Sequence, residues 1–143
     1  LPPSSAASDV YKRQVLRGPV YYYYLNLLCE KEWMGTRVCT MKMLKTMSID
    51  KLRQSHQDSW KIDNASWHWS FFGDADTVRA KMDAYEHQEN NLPQFRDTME
   101  QRIKAGVDPF GRDYLYKPTV VPIDGSYPDY VQKNQGKLVR FIK

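Results

Sequence analysis

The three histidines and two cysteines are the first residues to weigh for chemistry. Zinc sites need imidazole and thiolate ligands at short, recurring spacings. His56, His68 and His87 show no such spacing, and Cys29 and Cys39 have no histidine pair beside them. Ser70 lies two positions from His68, a serine with a nearby base. That pair needs an orienting third group before it can act as a nucleophile. Asp74 and Asp76 resemble paired carboxylates, but they precede a helical pattern, where acidic residues cap the first turn and meet its dipole. Glu86, Glu89 and Glu100 read as a solvated helix face. No phosphate-cradling glycine loop and no nucleophile elbow occurs in the chain. The expectation is a protein without catalytic residues, cofactor or metal.

The elements that would position these side chains begin with an anomaly. The run Ser4–Gln14, SSAASDVYKRQ, coincides residue for residue with an in-frame translation of a transposase adapter used in sequencing libraries. It is expected to be foreign to the protein. The stretch that follows, with its Tyr21–Tyr24 run, has neither helical nor strand period. Residues 1–46 are therefore read as adapter and leader, with a native start between Met41 and Met47. The alternative is a real aromatic strand over Val20–Cys29, too short to span a bilayer.

Setting residues 1–46 aside changes the electrostatic reading. The whole chain carries a formal charge of +4, and all of that excess precedes Met47. From Met47 onward acids and bases balance, which argues against nucleic acid as a partner. Both cysteines also fall in the early stretch, so a disulfide framework is excluded from the rest. What remains is one small domain at most, near the size where a single core barely suffices.

Three zones follow. Residues 47–73 are an aromatic-rich docking segment. Ser48 caps a short helix running to His56, and Trp67 and Trp69 alternate with polar residues as an extended chain does. Residues 74–106 carry the one long helical pattern. Val78, Tyr85, Leu92 and Met99 stand seven apart, and Met82 and Ile103 fill alternate positions of a heptad seam. Pro93 kinks or restarts it, with Asn90 or Asn91 as the cap, and Gly106 ends it. Residues 107–143 form an extended arm punctuated by proline and tyrosine.

The predicted fold is mainly α with extended arms. One long or kinked helix over about 74–105 is flanked by aromatic-rich and Pro/Tyr-rich extended segments, with little independent core. Large aromatics without aliphatic neighbours suggest anchors for a partner. The expected partner-binding residues are Trp60, Trp67, Trp69, Phe71 and Phe72, then Val78, Met82, Tyr85, Leu92, Met99 and Ile103 on the seam, with Tyr114 and Tyr116 on the arm.

The stretches WHWSFFGDADTVRAKMDAY and YKPTVVPIDGSYPDYV resemble the myofilins, accessory proteins of insect muscle thick filaments, over Trp67–Val131. The resemblance implies a non-enzymatic structural protein, cytoplasmic and myofibrillar, packed on the coiled coils of myosin tails. The alternative reading is an accessory subunit on a peripheral arm of a mitochondrial respiratory or ATP synthase complex.

Overall fold

The computed structural model describes residues 13–54 and 59–143. Of the Ser4–Gln14 run, only Arg13 and Gln14 lie within them, and His56 lies outside. The described residues fall into two compact units, one of residues 13–19, 32–54 and 59–67, the other of 20–31 and 68–143.

Two long strands, β1 (Arg13–Tyr22) and β2 (Leu27–Cys39), are joined by the short turn at Tyr23–Asn26. The chain continues through α1 (Met41–Leu44), α2 (Ile49–Gln54), β3 (Trp60–Ile62) and β4 (His68–Ser70). After these come α3 (Ala75–Asp83), a 3-10 turn at Gln88–Asn90, α4 (Pro93–Asp97), α5 (Met99–Ala105), β5 (Thr119–Val120) and α6 (Asp129–Lys133). Two further 3-10 turns occupy Gln135–Lys137 and Val139–Phe141. The sheet order is β3-β1-β2-β5, with β4 also on β1. β3 and β4 run parallel to β1, and β5 runs antiparallel to β2.

The mainly α expectation is thus corrected: the fold is a mixed sheet with short helices. Residues 13–39, read from the sequence as adapter and leader, hold its two longest strands. Val20–Cys29 holds the end of β1, the turn and the start of β2, a hairpin corner rather than one strand. Pro19 falls between the parts of β1 that pair with β3 and β4. β3 pairs with Gln14–Leu16 and β4 with Val20–Tyr22, so Pro19 needs no ladder N–H toward either.

In the first unit, Arg17 reaches Glu32 at 2.7 Å and Asp63 at 2.9 Å. Ala65 N–H and Ser66 Oγ donate to the Arg17 and Leu16 carbonyls. A Cβ at Gly18 would stand 1.7 Å from the Ser66 carbonyl oxygen, so this approach admits only glycine.

The second unit has the private core that the sequence reading denied it. Tyr21, Tyr22 and Tyr23 are buried with Phe71, Val78, Met82, Met99 and Phe110. Tyr22 meets Phe71 edge to face at 5.5 Å, and Phe71 meets Phe110 the same way at 5.4 Å, an arrangement suited to ring quadrupoles. Tyr23 and Phe71 both adopt positive φ, a costly conformation for aromatic residues that their burial offsets.

The single long helix is also corrected. α3 stops at Asp83, the chain reverses, and α3 packs on α5. Gln88 Nε2 donates to the Met82 and Asp83 carbonyls, meeting acceptors that a helix end leaves orphaned. Pro93 opens α4, with Leu92 rather than Asn90 or Asn91 at its N-cap position. The predicted stop holds: Gly106 closes α5 in the left-handed region at φ 75°. The C-terminal arm is corrected in part, since residues 129–141 form α6 and two 3-10 turns.

Candidate functional site

The first unit carries its apolar residues outward. Among its described residues the buried hydrophobic side chains are Val15 and Leu52, whereas Val38, Met41, Leu44, Ile49 and Trp60 are exposed. Four of these belong to a compact stretch of sequence, Val38 to Ile49, and its local structure explains why they stay outside. Thr40 caps α1, accepting from Met43 N–H at 3.4 Å. Ser48, as predicted, accepts from Lys51 N–H at 3.2 Å and starts α2. α1 is about one turn long and the described part of α2 under two, too short to bury a full face. Arg37 of β2 donates from Nη2 to the Arg53 carbonyl at 2.8 Å, tying the strand to the end of α2.

Between them lies a groove of about 440 Å³. Val38 and Cys39 from β2, Leu44 from α1, and Ile49 and Leu52 from α2 form its apolar walls, and Arg37 and Arg53 its polar edge. Burial and the charge of Arg13 lower the Arg37 guanidinium's pKa. Lys42 and Lys51 on the same two helices and Lys45 just past α1 are exposed, against the one acid on those helices, Asp50. A concave apolar surface edged by two arginines can bind, but its lining holds no nucleophile–base pair.

The residues with chemical potential are occupied elsewhere. Lys81 Nζ donates to Ser70 Oγ at 3.2 Å and sits 4.3 Å above the Phe71 ring. Burial lowers its pKa. Burial, then Lys81, likewise lowers that of His68. Ser70 is itself buried, which denies an electrophile access. Asp74 Oδ1 accepts from Thr77 N–H at 2.9 Å and Thr77 Oγ1 at 2.7 Å, a helix cap as expected. Asp76 pairs with Arg79 at 3.0 Å. The Cys29 thiol is pushed up to about 11 by burial, which leaves little thiolate at neutral pH. Among the described residues no cluster of three His, Cys, Asp or Glu could hold a metal. No described helix is long and apolar enough to cross a membrane.

The thirteen anchors expected from the sequence are divided between the two units. Trp60 is exposed and Trp67 half-buried, both in the first unit. The others lie in the second. Val78, Met82, Met99 and Ile103 face its core, as does Phe71. Trp69 stacks on Tyr21 at 6.0 Å and donates to the Leu25 carbonyl at 3.2 Å. Phe72 packs on Phe141 at 5.0 Å, Tyr85 on Phe110 at 5.4 Å, and Tyr116 on Tyr22 at 6.4 Å. Leu92 and Tyr114 are exposed. The sequence reading missed the groove because it set residues 1–46 aside. Its signal was the interleaving of Met41, Leu44, Ile49 and Leu52 with Lys42, Lys45, Lys51 and Arg53.

Against known proteins, the chain has no significant match to a family model, a curated protein or a solved structure.

Proposed function

We propose that this protein is a non-enzymatic structural accessory component that docks on a larger protein assembly through the groove of its first unit. The coiled coils of a filament are the favoured assembly, and the myosin thick filament of muscle the favoured filament. The observation that carries the reading is the outward placement of Val38, Leu44 and Ile49 around a concave surface. Exposed apolar side chains around a concave surface give a partner's side chains a place to insert. The occupied state of Ser70, Asp74 and Cys29 supports a role without catalysis. The resemblance of the Trp67–Val131 stretch to thick-filament accessory proteins selects the filament among assemblies. Fractionation of native muscle tests the reading. The protein is expected to stay with washed myofibrils and to leave only when the filaments dissolve. Release in the first low-salt wash would contradict it.

A further inference from the structure

We infer that the groove's occupant is an amphipathic helix whose apolar stripe is flanked by acidic residues. This rests on the docking reading above and specifies the partner's chemistry. Two features of the groove point to it. Its walls are side chains, Val38, Leu44, Ile49 and Leu52, which suits the alternating anchors of a helix laid in a groove better than the backbone pairing of an added strand. Its edge is cationic, with Arg37 and Arg53 among the lining residues. Lys42, Lys51 and Arg53 are exposed on α1 and α2 and Lys45 just past α1, and Asp50 is the one acid on those helices. No carboxylate pairs with Lys42, Lys45 or Lys51 among the described residues. Arginines at the groove's edge and exposed lysines on the helices that line it favour glutamate or aspartate beside the partner's stripe, steer the encounter, and penalise a basic helix.

The test uses the full chain and three synthetic peptides of about 20 residues, long enough for several helical turns. The first has leucine at helical spacing with glutamate flanks. The second replaces each glutamate with lysine, and the third is the glutamate peptide with a central proline that breaks the helix. Binding is read by fluorescence anisotropy against the chain, its Ile49→Asp variant and a Lys45→Glu/Lys51→Glu variant, with circular dichroism confirming that each is folded. The glutamate peptide is expected to bind best, and the proline peptide at least about tenfold more weakly. The double charge reversal should cost about tenfold for the glutamate peptide and improve the lysine peptide. Equal binding of the glutamate and lysine peptides, both lost on Ile49→Asp, would overturn the acidic assignment and leave the docking surface standing. Equal binding of the proline peptide would overturn the helix. Unchanged binding to Ile49→Asp would overturn the groove itself.

Discussion

Arg112 grips the carboxylate of Asp108 from both sides, Nε donating to Oδ1 at 3.1 Å and Nη2 to Oδ2 at 2.9 Å, while Asp108 is wholly buried. The Phe110 and Arg112 N–H groups also donate to Oδ1. A buried carboxylate stripped of its cation is costly, so Arg112→Met is expected to lower stability by about 3 kcal/mol. Asp108→Asn combined with Arg112→Met should lose less than Arg112→Met alone, because no buried charge is left unpaired. Urea unfolding of both variants checks the order.

Gly18 and Ser66 give a second test, in the first unit. The Ser66 carbonyl fills the space a Cβ would need, so Gly18→Ala must displace backbone and should destabilise by roughly 1–3 kcal/mol. Wild-type stability in Gly18→Ala, measured by hydrogen exchange in residues 13–19 and 60–67, would show that β1 does not pack as described.

The reversal between α3 and α5 predicts unequal effects along the former seam. Met82 is fully buried and Leu92 is 41 % exposed. Met82→Ala should cost about 2–5 kcal/mol through the cavity it leaves, and Leu92→Ala within about 0.5 kcal/mol. Similar large losses at both positions in a thermal melt would restore a continuous seam.

Local features of this architecture were legible in the sequence, and its tertiary relations were not. Ser48, Asp74 and Gly106 act locally through caps and a left-handed stop, so their residue types announced them. The extended chain around Trp67–Trp69 also appears, as β4. The false helix arose because Val78 and Met82 lie three heptads before Met99 and Ile103, so a helical hairpin mimics a continuous seam. The Tyr-rich hairpin was hidden because β1 packs tyrosines at consecutive positions, which erases the alternation expected of a half-buried strand. The groove had a partial local signal in the apolar and basic interleaving over residues 41–53, but its third wall comes from β2, a tertiary relation that this pattern does not carry.

The helix hairpin is also expected to be acid-sensitive. Arg79 bonded to Glu100, and Arg96 bonded to Asp83, hold both carboxyls below their ordinary pKa values. A depressed folded-state pKa adds stability that is present above the unfolded carboxylate range and is lost as pH falls through the depressed values. The melting temperature should therefore fall with acidification below that range, and fall less steeply in Arg79→Met/Arg96→Met. Both carboxylates are exposed, so added salt should weaken the effect. An identical acid slope in wild type and variant would rule these pairs out as its source.

The most direct test of the docking account is co-sedimentation of the full chain with filaments reassembled from myosin tails, alongside folded Ile49→Asp. The account predicts that the wild-type chain saturates the filaments at a fixed ratio and that Ile49→Asp stays in the supernatant. Equal sedimentation of the two, or of neither, would contradict it.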